Sequence, residues 1–146
     1  MEARQSPQWC SYVVSDWSVV ERRSVNHRPV GHPYGETSGD EFDPFDPRCS
    51  VCEQDQVVVD PSAFGLALAP FQVCWAHEDG VRRALGAIVS AGDFDIVEIS
   101  GYRPGFTRGD VVDGVRTLLS NHSYGTAVDI NAGTNGLYRG CDVAIV

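Results

Sequence analysis

The sequence predicts an α+β domain, on three observations. Within the stretch FQVCWAHEDGVRRALGAIVSAG, Val81, Leu85, Ile88 and Val89 fall at i, i+4, i+7 and i+8, the stripe of a core-facing helix, with Gly92 placed to end it. Short strand candidates flank that helix, DQVVVD before it and FDIVEISGYR after it. A third strand pattern, TAVDIN, puts Thr126, Val128 and Ile130 on one face and Ala127, Asp129 and Asn131 on the other.

In FDIVEIS, Phe94, Ile96 and Glu98 alternate with Asp95, Val97 and Ile99, and the run is apolar at most positions, as in a central strand. Val111, Val115, Leu118 and Leu119 in VVDGVRTLLS fit a short helix that Gly114 weakens. Near the start, SYVVSDWSVV is rich in β-branched and aromatic residues and fits one strand or a short helix. Residues 26–48, dense in proline and glycine and without periodicity, read as a loop. The expected organisation is a loop-rich extension over 1–48 followed by a folded unit over 49–146.

A chain of 146 residues with 42% hydrophobic residues buries one sizeable core. The formal net charge of −9 speaks against nucleic acid, whose phosphates need a concentrated positive surface. The sequence has neither the pattern of a signal peptide nor a stretch long enough to span a bilayer. Five cysteines, Cys10, Cys49, Cys52, Cys74 and Cys141, imply disulfides or a metal. Cys49 and Cys52 form C-x-x-C, which suits a redox pair, half of a zinc knuckle, or two separate disulfides. With Cys74 and His77 as a following C-x-x-H, the knuckle reading gives a structural zinc in an interaction module. Cys141 is placed to tie the end of the chain back through a disulfide.

The stretch SNHSYGTAVDIN carries the chemistry. An imidazole, His122, approaches a strand bearing a carboxylate, Asp129, and Gly125 and Ala127 leave room beside them. Imidazole and carboxylate are zinc ligands, and a catalytic zinc keeps three protein ligands and one open position.

The ordered residues Ser120, His122, Gly125, Ala127 and Asp129 resemble the S-x-H-x-x-G-x-A-x-D signature of the D-alanyl-D-alanine carboxypeptidase family of zinc peptidoglycan peptidases, which includes VanY-like enzymes and L-alanyl-D-glutamate endopeptidases of phage endolysins. The resemblance extends upstream to SGYR, Ser100 to Arg103, and more loosely to Cys49. It implies a small antiparallel sheet with helices packed on one side, a Zn²⁺ held by His122 and Asp129, and Arg103 clamping substrate and the developing oxyanion. Ser120, Tyr102 and Asn131 would support the ligands or substrate. The implied substrate is a peptidoglycan stem peptide, cut in the cell envelope or outside the cell. The family's third ligand, a histidine, and its glutamate base lie in a C-terminal segment of W-x-x-x-H or E-x-x-H character that residues 130–146 do not contain. The expected domain is therefore incomplete at its C-terminal side, and a degenerate, noncatalytic wall-binding domain is the alternative to an active peptidase.

Overall fold

The computed structural model describes residues 4–93 and 95–133. It is a mixed α+β structure made mostly of small sheets, with one α-helix among the described residues. The two longest strands come first, β1 (Trp9–Ser18) and β2 (Arg23–Pro33). Two short strands, β3 (Phe42–Asp43) and β4 (Asp46–Ser50), pair with each other. A second hairpin follows, β5 (Gln56–Val59) with β6 (Phe71–Cys74), and leads into α1 (Glu78–Ala91). The remaining strands are β7 (Ile99–Ser100), β8 (Gly105–Val112), β9 (Val115–Leu119) and β10 (Asp129–Ile130).

The largest sheet has the order β2-β1-β8-β9. It is not purely antiparallel, because Ser15 and Asp16 of β1 run parallel to Gly105 and Phe106 of β8. The α+β class matches the expectation at that level, while in detail one helix packs on the β5–β6 hairpin and the larger sheet is mixed.

α1 follows the predicted stripe. Leu85 is buried against Val59, Phe71, Val73 and Ile96, with Val81, Ile88 and Val89 packed around that cluster. Gly92 caps the helix in the left-handed conformation at φ 66°, its amide reaching the Ile88 carbonyl. Burying such a leucine contributes about 2 kcal/mol.

Three expected elements differ. Residues 111–119 are not helical but the arms of the β8–β9 hairpin, where Val112 pairs with Val115 around Asp113 and Gly114 at φ 53° and 81°. Two successive positive-φ residues make the type I′ turn that Asp-Gly favours, and this turn chemistry outweighs the weak helical spacing. Residues 26–48 are not one loop: they contain most of β2, all of β3 and the start of β4. β2 tolerates Pro29 and Pro33 because it lies at the sheet edge. Of the strand expected over 94–100, Ile99–Ser100 pairs with β10, and Phe94 lies outside the described residues. Asn131 substitutes for a neighbouring strand along residues 95–98: its Oδ1 accepts from the Val97 and Glu98 amides at 2.7 and 3.2 Å, and its Nδ2 donates to the Asp95 carbonyl at 2.8 Å.

Two disulfides pin the N-terminal strands to the rest. Cys10 of β1 joins Cys52, and Cys49 joins Cys74 at the end of β6. The C-x-x-C cysteines therefore go to different partners, and Cys141 lies outside the described residues. Beside them Asp55, fully buried, receives Arg4 at 2.6 Å, the Tyr34 hydroxyl at 2.8 Å and the Ser50 hydroxyl. A buried carboxylate needs that many donors to offset its lost hydration. Tyr34 is pushed up to about 12, by burial first and by its bond to Asp55 second. Among the described residues no helix is long and apolar enough to cross a membrane.

A pH-sensitive pair ties β2 to the following loop. His32 Nε2 lies 2.9 Å from Glu41 Oε2 while its Nδ1 lies 2.8 Å from the Pro33 carbonyl, so both ring nitrogens face acceptors and the imidazolium is favoured. The bond to Glu41 raises the His32 pKa. Burial opposes ionisation of Glu41, but bonds from His32, the Ser38 amide and Tyr12 outweigh it and lower its pKa. A raised histidine stabilises the fold below its unfolded value, about 6.5, and that contribution disappears as pH rises through the folded value. Urea unfolding should therefore show wild type losing up to about 1 kcal/mol between mildly acidic and alkaline pH that His32→Gln does not lose. An identical slope in both proteins would contradict the assignment.

Candidate functional site

Two loops meet at the mouth of the larger sheet. Residues 101–104 connect β7 to β8, and residues 120–128 connect β9 to β10. They are stitched by backbone: the Arg103 amide donates to the His122 carbonyl at 2.9 Å, and the Ser120 amide to the Gly105 carbonyl at 3.2 Å. Ser123, fully buried, closes the seam, its Oγ accepting from the Gly105 amide at 3.0 Å and donating to the Gly105 carbonyl at 3.1 Å. β10 then brings Asp129 alongside Ser100 of β7.

This stitching places His122, Asp129 and Arg103 together. His122 Nδ1 lies 2.8 Å from the Gly101 carbonyl, which can only accept, so Nδ1 carries a proton and Nε2 is left to face Asp129. Nε2 points at Asp129 Oδ2, 3.2 Å away. Arg103 Nη2 donates to the same Oδ2 at 2.8 Å, and its Nη1 donates to Ser100 Oγ at 3.0 Å. The bond from Arg103, aided by His122, holds the Asp129 carboxyl below the usual carboxylate range. A lone pair and a carboxylate facing each other at that distance repel unless a cation lies between them, either a proton on Nε2 or a metal ion.

The separation fits a proton on Nε2, as in an ordinary ion pair, and it also fits a metal ion. Bonds of about 2.0–2.1 Å at tetrahedral angles separate adjacent ligand atoms by about 3.3 Å. A histidine fixed through Nδ1 by a backbone carbonyl is also the usual support for an Nε2 ligand. Among the described residues no third ligand atom of His, Cys, Asp or Glu groups with this pair; the clusters of such side chains lie elsewhere, at Cys10, His32 and Glu41 and at Asp46, Cys49 and His77. Both include a disulfide sulfur, which is not a thiolate donor. The zinc-knuckle set of Cys49, Cys52, Cys74 and His77 does not assemble for the same reason, and His77 bonds Asp46 at 2.8 Å instead.

The other expected residues take different places. Ser120 lines the groove in front of His122, with its Oγ 3.3 Å from that of Ser123. Tyr102 turns away, its hydroxyl donating to the Val51 carbonyl at 2.7 Å, and burial raises its pKa. Asn131 braces residues 95–98 and so holds β7 beside β10.

The groove has a volume of about 530 Å³, and Arg103 and His122 form one side of it. Its other wall is the face of β1 that carries Val13, Ser15 and Trp17, joined by Ser24 and His27 of β2. Sequence reasoning missed this wall, although the alternation of residues 13, 15 and 17 was its signal. It also missed Gly101, where a Cβ would collide with the Gln72 carbonyl oxygen, and Ser123, whose burial no spacing announces.

Comparison with protein-family models, with curated proteins and with solved structures found no match.

Gly125 has φ 69°, and a Cβ there would overlap Gln56 Oε1 and crowd the Cys74 amide nitrogen, which itself donates to the Gly125 carbonyl at 2.9 Å. Gly125→Ala should cost roughly 2 kcal/mol or more in urea unfolding and loosen the His122 turn. A change below about 0.5 kcal/mol would show that the turn relaxes freely.

Proposed function

We propose that this chain is a zinc-dependent peptidase of peptidoglycan stem peptides, of the D,D-carboxypeptidase or L-alanyl-D-glutamate endopeptidase type. The observation that carries the reading is the 3.2 Å approach of His122 Nε2 to Asp129 Oδ2, with Nδ1 fixed on the Gly101 carbonyl. The ordered signature from Ser120 to Asp129 and the SGYR segment support it from the sequence. The two disulfides suit a protein that works in the oxidising surroundings of the cell envelope.

His122 and Asp129 are the residues that would hold the metal. A zinc ion held there would supply Lewis-acid chemistry, lowering the pKa of a bound water and polarising the amide carbonyl. Arg103 supplies the second electrostatic element. Arg103 lines the groove, and its N–H groups beyond those on Ser100 and Asp129 would donate to the carbonyl oxygen of a bound peptide, where negative charge develops during attack. Its bond to Asp129 keeps that carboxylate ionised and oriented. The β1 wall, with Val13 and Trp17, shields the apolar side of the substrate from water.

A noncatalytic wall-binding domain is the second reading, favoured by the lack of a third ligand beside the pair among the described residues. Zinc content and hydrolysis separate the two. The peptidase reading expects one zinc per chain, lost in His122→Ala and Asp129→Ala, together with cleavage of a stem pentapeptide. Binding to cell-wall sacculi without cleavage supports the second reading, and zinc that survives both substitutions contradicts the assigned ligands.

A further inference from the structure

β2 carries one residue more than β1 across their shared ladder. Val14 pairs with Arg28 and Asp16 with Val25, so Asn26 and His27 together oppose Ser15, the two-against-one pattern of a β-bulge. Asn26 takes the left-handed conformation at φ 55°, a strained choice for a residue with a side chain. Asp16 holds it there: its carboxylate accepts from Asn26 Nδ2 at 3.0 Å and from both terminal nitrogens of Arg28 at 3.2 Å, and Arg28 Nη1 also donates to the Asn26 carbonyl at 2.9 Å. Bulges re-aim side chains and gather beside active sites. This one delivers His27 to the groove, and Ser15, which it opposes, pairs on its other side with Gly105 at the end of the Arg103 loop.

The titratable side chains lining the groove are His27, Arg103 and His122, and none of its lining residues is a carboxylate. The Arg103 guanidinium offers only donors and no acceptor. His122 has Nδ1 on the Gly101 carbonyl and Nε2 on Asp129. His27 makes no hydrogen bond or ion pair among the described residues, so both ring nitrogens are open to water or ligand. The charged groups around it are Asp16 and Arg28 of its own hairpin, paired with each other, and Arg103 and His122 on the facing wall.

We propose that His27 is the general base and acid of this groove, a role resting on the peptidase reading above. Water attacks the amide carbon and gives a proton to a His27 ring nitrogen. The imidazolium then passes that proton to the departing nitrogen as the C–N bond breaks. One water and one amide become a carboxylic acid and an amine, and His27 ends neutral. The bulge supplies from β2 the proton acceptor that no carboxylate of the groove provides.

Two readouts on the full chain test this. In metal-free protein titrated with N-acetyl-D-alanyl-D-alanine, the His27 and His122 ring signals in proton NMR should both move; movement of His122 alone, or of neither, overturns the proposal. With zinc supplied, His27→Gln should retain its zinc while kcat for stem-pentapeptide cleavage falls ~100-fold, with KM little changed and the acidic limb of the pH profile gone. Added imidazole should partly restore His27→Gly. Wild-type turnover in His27→Gln overturns the base role alone. A wild-type protein that cleaves no stem peptide overturns the peptidase reading and this role with it.

Discussion

The hydrogen bond between His122 Nδ1 and the Gly101 carbonyl decides what the rest of the site can be. It puts a proton on Nδ1, and therefore leaves Nε2 to face the carboxylate of Asp129. Everything nearby serves that approach. Gly101 has no side chain because its neighbour is the Gln72 carbonyl, Ser123 stitches the two loops through Gly105, and the β7–β10 pairing sets the depth of Asp129. Arg103 shares the carboxylate oxygen and keeps it charged.

That local arrangement is mounted on a frame held from the N-terminal side. β1 contributes the groove wall, and it is fastened by the Cys10–Cys52 disulfide at one end and by pairing with β8 and β9 at the other. The buried Asp55 adds a polar anchor that draws Arg4, Tyr34 and Ser50 to one point, and Arg4 also stacks over Trp75 at 4.7 Å. Cross-links of this kind act chiefly by limiting the unfolded chain, and together contribute several kcal/mol. The groove is thus built between a disulfide-tethered strand and two stitched loops.

What the sequence made legible follows from periodicity and short spacing. The α1 stripe was readable because Val81, Leu85, Ile88 and Val89 obey a helical period, and the His122–Asp129 meeting because a glycine turn separates a histidine from a strand carboxylate. The β8–β9 hairpin is hidden because Gly114 reads as a weak point in a helix, whereas Asp113 and Gly114 together form a turn. The N-terminal wall was hidden for a different reason. Its strand pairing is long-range, β1 with β8 and β9, and the proline-rich residues that follow hide an edge strand whose bulge is visible in register alone. The cysteine pairing was equally open, since spacing does not tell that Cys49 and Cys52 turn to different partners.

Nitrogen-15 NMR of the His122 ring, recorded without metal and after adding one equivalent of Zn²⁺, tests the central claim most directly. The account predicts that Nδ1 stays protonated throughout while the Nε2 signal moves to the range of a metal-bound nitrogen, and that Asp129→Ala abolishes the movement. An Nε2 signal that ignores zinc, or a ring protonated only on Nε2 in the metal-free protein, would contradict it.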